Sequence, residues 1–223
     1  MLFENEDIIA VSKPEGLASI PERMQGRESL LSFLSSRTPG KLYVVHRLDK
    51  EVSGVILFAK HEVAHRFLNH QFQQGRVKKI YLALTHGVIE AERGVIDRAL
   101  RAYGSGRMGV DAEKGKRSIT EFVVRQRFDA YTLVNVYPAT GRRHQIRVHF
   151  YSINHPLVGD LRYGDRELQR PFPRLMLHAE EITVLLPSRE EVSIVAPVPE
   201  SFQKVLDEFQ GKGKGQEARL DKG

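Results

Sequence analysis

The stretch YVVHRLDKEVSGVILFAK, Tyr43 to Lys60, sets one carboxylate, Asp49, between two apolar runs of β character, Tyr43–Val45 and Val55–Ala59. Aspartate is depleted in strands, and Ser53-Gly54 brings turn chemistry immediately afterwards. A hairpin with a solvated aspartate at its bend is the plain reading. The charge around it argues for another. His46 and Arg47 lie just before Asp49, and TGRRHQIRVH (Thr140–His149) carries three arginines and two histidines without an acid. An acid facing concentrated positive charge has its ionised form favoured, which is what a carboxylate nucleophile needs.

Working outward, Val55–Ala59 is a continuous apolar run of the kind expected for a buried strand. Upstream, Ile8–Ser12 reads as a strand stopped at Lys13-Pro14-Glu15-Gly16, and Ser29–Ser35 as a short helix before the Thr38-Pro39-Gly40 turn. Downstream, Glu62–Gln73 is expected to be helical, with Ala64, Phe67, Leu68 and Phe72 on one face. Ile80–Thr85, Ile119–Phe128 and Tyr131–Tyr137 read as strands, the last two paired across Asp129-Ala130. Thr140 suits the N-cap of a helix running to about Ser152. Leu175–Ala179, Ile182–Leu186 and Val192–Val195 add short strands. Pro199–Gln210 closes as a helix with Phe202, Val205, Leu206 and Phe209 on its apolar stripe. Strands outnumber helices and short turns join many of them. This pattern, together with the resemblance described below, predicts an α+β fold: a mixed, largely antiparallel sheet flanked by helices. One domain is expected over residues 1–210, and the basic remainder, 211–223, reads as a disordered tail.

The chain has 223 residues, a net charge of +6 and a sequence pI of about 9.5. A basic balance suggests an acidic partner, nucleic acid before membrane. Arg101–Arg127 holds seven Lys/Arg against three acids, and together with Thr140–His149 it fits a surface that tracks phosphates. The absence of cysteine excludes disulfides, thiolate nucleophiles and Cys-ligated zinc. The first apolar run, Ile8–Val11, is too short for a signal peptide, and no stretch approaches the roughly 20 apolar residues of a membrane span. A cytoplasmic protein is expected.

Two motifs compete for attention. His61-Glu62-Val63-Ala64-His65 matches the zincin pattern H-E-x-x-H. Ala59-Lys60 ends a strand immediately before it, which puts His61 at a helix start, and both histidines fall at the edge of the apolar face. Gly104-Ser105-Gly106-Arg107-Met108-Gly109 matches the dinucleotide pattern G-x-G-x-x-G. It lacks the preceding apolar strand and following helix, so a mobile basic hairpin is expected there. Neither metal nor nucleotide cofactor is expected.

The Asp49 segment resembles the RluA-type pseudouridine synthases, whose HRLD-x-x-TSG pattern stands here as His46-Arg47-Leu48-Asp49-Lys50-Glu51-Val52-Ser53-Gly54, with Val52 in place of the usual Thr. Further blocks match in the same order. Asp7–Leu17 resembles the family's opening strand and its Lys-Pro-x-Gly-Leu turn, and Lys78–Leu84 its Lys-x-Tyr-x-Ala element. Thr140–Gly164 is similar to the Gly-Arg-x-His-Gln-x-Arg helix and the Gly-Asp-x-x-Tyr that follows, and Leu175–Pro187 to the closing Leu-His-Ala strand.

The resemblance implies a pseudouridine-synthase-like catalytic domain that isomerises specific uridines in tRNA or rRNA. Because the opening strand begins near residue 7, the small RNA-binding module that often precedes this domain is not expected; a monomer is. Carried over by motif, Asp49 is the catalytic carboxylate, Tyr81 the ring against the target uracil, and Arg147 the ion-pair partner of Asp49. Arginine suits that task because it stays charged and grips a carboxylate bidentately. Arg47, His46, Arg101, Arg107, Arg142 and His144 are the expected RNA-binding residues.

Overall fold

The computed structural model describes residues 1–21, 28–104 and 106–209. In chain order the strands are β1 (Phe3–Glu4), β2 (Ile8–Lys13), β3 (Tyr43–Val44), β4 (Ser53–Ala59), β5 (Lys78–His86) and β6 (Arg93–Asp97). They continue with β7 (Leu100–Ala102), β8 (Met108–Val110), β9 (Ile119–Phe128), β10 (Tyr131–Pro138), β11 (Leu177–Leu185) and β12 (Glu191–Val195). The helices α1 (Leu30–Ser35), α2 (Glu62–Gln73), α3 (Gln145–Ser152) and α4 (Arg166–Gln169) interrupt them. Residues 200–209 are also helical; the basic tail expected at 211–223 lies outside the described residues.

Contacts gather the chain into two compact units, Met1–Tyr81 with His178–Pro197, and Leu82–Leu177 with the chain from Val198 onward. The boundaries fall within or beside strands β5, β11 and β12, so no linker composition marks them.

In the first unit β1, β2, β4 and β11 lie side by side. Every residue of β4 is buried, as its unbroken apolar run requires of a strand covered on both faces. It pairs antiparallel with β2 and β3 but parallel with β11, and β11 pairs antiparallel with β12. The sheet is therefore mixed. Gly54 explains how the parallel pair closes. Its φ is +122°, and a Cβ there would sit 2.2 Å from the Ala179 carbonyl oxygen, so only glycine fits. Beside it the buried Ser53 hydroxyl bonds His178 Nδ1 at 2.8 Å, while His178 Nε2 faces the Ala196 carbonyl at 3.2 Å. The carbonyl requires the proton on Nε2, so Ser53 is the donor.

Helix α2 has the bounds its periodicity predicts. Ala64 and Leu68 are buried, and Gln71 joins them by spending both ends of its amide on Leu185, donating to the carbonyl and accepting from the N–H. Ser29 caps α1 in a reciprocal capping box with Ser32.

The second unit carries β10, β9 and β6 in antiparallel order. The β9–β10 hairpin turns at Asp129-Ala130 as expected, with a bulge at Leu133/Val134. Its core gathers Leu82, Leu84, Leu133, Val158 and Met176 with Phe202, Val205 and Leu206 of the last helix. Strands β7 and β8 pair as the hairpin expected of the glycine-rich segment. Two readings are corrected. The two strands read within 175–186 are one, β11. Helix α3 begins at Gln145, rather than near Thr140, with His144 in the left-handed region at φ 53° in the N-cap position and making no side-chain cap. The Thr140 hydroxyl is engaged elsewhere, donating to Gln145 Oε1 at 2.7 Å and accepting from the Ile119 N–H at 3.0 Å.

Candidate active site

Asp49 lies on the loop between β3 and β4, and the backbone on both sides of it is tied down. On one side the Ser19 hydroxyl donates to the Leu48 carbonyl at 2.8 Å and accepts from its N–H at 3.1 Å. On the other, the Lys50 carbonyl accepts from the Gly16 N–H at 2.8 Å and from Lys13 Nζ at 3.1 Å. Lys13 is fully buried, and its ammonium also donates to the Pro14 and Leu17 carbonyls, each at 2.8 Å. A buried ammonium needs such acceptors, and here they knit the Lys-Pro-Glu-Gly turn to the aspartate loop. Val52, the residue in place of threonine, is buried in the core at 2% exposure, an environment that suits its second methyl.

Along the loop Arg47 is exposed, Leu48 buried and Asp49 half-buried. His46 has another task. Its ring stacks on Phe72 with centroids 5.0 Å apart, and its Nε2 accepts from the Leu57 N–H at 3.1 Å. Burial, and then the charge of Lys79, hold its pKa down at about 3. The imidazole is neutral at physiological pH and offers no cation to phosphate.

Strand β5 presents Lys79 and Tyr81 on one face, two residues apart. Burial raises the Tyr81 phenol well above its ordinary value, and the charge of Asp49 raises it further. The hydroxyl therefore stays protonated, and the two residues are near enough for one charge to register on the other. Lys79 is pushed down to about 8 by burial. Lys79 is the lysine of the Lys-x-Tyr-x-Ala element, to which the sequence reading assigns no role of its own.

In the second unit, Arg147 is buried on α3 and grips Asp160 bidentately, Nε to Oδ2 and Nη2 to Oδ1, both at 2.8 Å. Asp160 Oδ1 also accepts from the N–H groups of Arg162 at 3.0 Å and Tyr163 at 3.1 Å. Asp160 is the aspartate of the Gly-Asp-x-x-Tyr motif, to which the sequence reading gives no role. Gly159, before it, has φ +75°, and a Cβ would meet the Arg174 carbonyl oxygen at 1.8 Å. The Tyr163 hydroxyl accepts from the Met108 N–H at 2.9 Å and bonds His144 Nδ1 at 2.7 Å. His144, a bulky residue at positive φ, is thus held by a ring partner at the head of α3. Gln145 fixes the approach to it, donating to Ile119 O and Thr120 Oγ1 and accepting from the Arg142 N–H.

Arg101, Arg107 and Arg142 are exposed. Arg101 pairs with Asp111 at 3.1 Å, and Arg142 Nε donates to the Arg117 carbonyl at 3.4 Å. The structure thus assembles His46, Arg47, Asp49 and Tyr81 with Lys79 in the first unit, and Arg101, Arg107, Arg142, His144 and Arg147 in the second. The H-E-x-x-H nitrogens are engaged. His61 Nδ1 caps α2 and its Nε2 meets Asp7 at 3.0 Å, while His65 Nε2 meets the Val44 carbonyl at 3.1 Å.

Residues 7–152 match the family model described as RNA pseudouridylate synthase. The chain is 37% identical over 221 residues to a dual-specificity RNA pseudouridine synthase RluA of Vibrio cholerae, covering 96% of this chain and 90% of that one. It is 34% identical to a ribosomal large subunit pseudouridine synthase C of Buchnera aphidicola, covering 92% and 69%. Among solved structures, human RNA pseudouridylate synthase domain containing 1 superposes with a TM-score of 0.76 at 32% identity, covering 89% of this chain and 82% of that one.

Proposed function

Because the chain belongs to the RNA pseudouridylate synthase family, we propose that Asp49 is its catalytic carboxylate, Tyr81 the ring that packs on the target uracil, and Arg147 the cation that serves Asp49. The protein is an isomerase that converts uridine in RNA to pseudouridine. In that reaction the bond from ribose C1′ to N1 breaks and one from C1′ to C5 forms. N1 gains a proton and C5 loses one. The balance is redox-neutral and requires no external acceptor.

The observation that supports the assignment is the anchoring of the Asp49 loop on both flanks, at Leu48 by Ser19 and at Lys50 by Lys13 and Gly16, close enough to Tyr81 for the carboxylate to favour the neutral phenol. A carboxylate that acts on a single carbon must be held in place, since orientation supplies much of the rate. Tyr81, kept neutral, offers its face for stacking, which holds a base without demanding a sequence. Arg147, already fixed by Asp160, brings a guanidinium whose orientation is set before substrate arrives. Arg47, Arg101, Arg107 and Arg142 bear on the RNA backbone, His144 supports the head of α3, and tRNA or rRNA of the cytoplasm is the substrate.

Total RNA from cells with and without the gene, mapped for pseudouridine, tests the substrate. The purified Asp49→Asn variant tests the residue. It is expected to fold normally and leave every target uridine unconverted; retention of more than a few per cent of turnover excludes Asp49 as the catalytic group. Unchanged pseudouridine maps with an inactive wild-type enzyme would favour an RNA-binding protein without catalysis.

A further inference from the structure

Between the β7–β8 hairpin and α3, the second unit has an open cavity of about 440 Å³. Its walls include Tyr103 from the hairpin, Val148 and Tyr151 from α3, and Tyr163. Tyr103 and Tyr151 are each 45% exposed, unusual for large aromatic side chains in a packed domain. The Arg107 guanidinium lies 5.8 Å from the Tyr151 centroid and 5.2 Å from that of Tyr163. Gly109 makes room on the hairpin side, since a Cβ there would come within 2.9 Å of the Tyr103 ring.

The rim is positive. Arg101 lies 5.6 Å from the Tyr103 centroid, and Arg143 and Arg162 both donate to the Gly106 carbonyl at the hairpin tip. Aromatic faces with the Arg107 guanidinium among them, beside a hairpin rich in arginine, form a chemical pattern complementary to one ligand type: a flat heteroaromatic ring joined to phosphates. The rings accept stacking from any base and the cations meet the backbone.

We propose that this cavity is a second base-binding site, which takes one unpaired nucleotide of the RNA substrate other than the uridine being isomerised. The inference rests on the reading of the chain as an RNA-modifying enzyme. The base stacks against Tyr103 and Tyr151, and Arg107 holds the adjoining phosphate. The site recognises an RNA with a second nucleotide free to leave its stack, so it selects for loop structure rather than for a single uridine.

The test uses the full chain with bulk bacterial tRNA and with a labelled stem-loop RNA carrying an unpaired loop. The Tyr103→Ala/Tyr151→Ala variant is expected to lose affinity about tenfold or more, the scale of base–aromatic stacking, with an unchanged salt slope. Tyr103→Phe/Tyr151→Phe is expected to bind as wild type. Arg107→Gln is expected to flatten the log–log salt slope by about 0.7, one phosphate contact on a single strand. A second arm starts from the wild-type protein, where folding of a variant is not in question. Loop nucleotides other than the target uridine are replaced in turn by abasic residues. One of these positions is expected to lose as much affinity as the double alanine variant, which then shows no further loss on that RNA. Wild-type binding and turnover with no such position, or an alanine variant that binds like wild type, removes the second site and leaves the proposed function standing. A wild-type protein that neither binds nor isomerises either RNA removes both.

Discussion

Arg147 donates two parallel hydrogen bonds to Asp160 from a position 4% exposed, and Asp160 is wholly buried. This pair, rather than helix packing alone, fixes the guanidinium proposed to serve Asp49. Removing one partner of such a pair strands the other charge in a low-dielectric interior.

Asp160→Asn is therefore expected to cost about 3–5 kcal/mol. At ~2–4 °C per kcal/mol for a chain of this size, Tm should fall by roughly 6–20 °C. Turnover should fall as well, because Arg147 loses its fixed orientation. Arg147→Met should cost similar stability, and the double variant Arg147→Met/Asp160→Asn less than the two together, since neither charge is then stranded. Thermal melts and a pseudouridine assay on the three proteins check this. Additive losses would mean that the two side chains act independently.

Lys13 offers a comparable test on the other unit. Its ammonium is fully buried and donates to three carbonyls, one belonging to Lys50 beside Asp49. Lys13→Met takes the ammonium away from all three oxygens but keeps the Gly16 N–H on the Lys50 carbonyl, so the loop is loosened on that flank. Turnover is expected to fall at least tenfold, with RNA affinity within about twofold, because the change acts on orientation rather than on a phosphate contact. Lys13→Arg should not rescue, since a planar guanidinium does not fit a cage shaped around an ammonium. A variant with normal turnover and weakened binding would show that Lys13 matters through the RNA surface instead.

How much of this was legible in the chain depends on the range over which each interaction acts. Strand β4 follows directly from its apolar run, and α2 from its periodicity, because burial of one local face decides both. Strand β11 was split because Glu180 and Glu181 interrupt its apolar pattern. In the fold Glu181 stays in register opposite Val195, and its carboxylate accepts from the Ser193 hydroxyl on β12. Helix α3 was begun too early because threonine is a good N-cap by residue type, whereas here Gln145, five positions on, engages the Thr140 hydroxyl. Asp49 and Tyr81 could be singled out by motif. Asp160 and Lys13 stand within the Gly-Asp-x-x-Tyr and Lys-Pro-x-Gly-Leu motifs, but their support of Arg147 and of the Asp49 loop could not be read, since Arg147 and Lys50 lie 13 and 37 positions away.

Lys79 gives the site a pH dependence. Burial lowers its pKa from the ordinary 10.5 to about 8, so in the folded protein it loses its proton through that range. RNA affinity measured at constant ionic strength should decline as pH rises through about 8 and level off above it. In Lys79→Gln that step should vanish. Stability runs the other way. Between about 8 and 10.5 the unfolded chain holds a proton that the folded chain does not, so unfolding becomes less favourable as pH rises. This contribution is complete above the unfolded value and lost as pH falls through the folded one. Denaturant titrations of wild type and Lys79→Gln across that window isolate it, and identical pH profiles would exclude Lys79 as its source.

Arg47 carries the last prediction. Chemistry at both N1 and C5 of a uracil needs access to atoms crowded inside a stacked RNA, so the nucleotide must leave its stack, at a cost of a few kcal/mol. The gap left behind tends to refill. Arg47 is exposed and separated from Asp49 only by the buried Leu48. A planar guanidinium there can occupy the vacated space, stack on the neighbouring bases and meet phosphate oxygens. The competing reading makes Arg47 only an electrostatic neighbour of Asp49. Substrate structure separates them. If Arg47 fills the gap, Arg47→Ala should slow turnover on a structured stem-loop by at least tenfold, yet act far less on an RNA whose target uridine is already unstacked. An electrostatic neighbour of the carboxylate would slow both substrates equally. Arg47→Lys sharpens the contrast, because it keeps the charge but loses the plane: failure to rescue the stem-loop points to stacking, and full rescue on both RNAs points to charge alone.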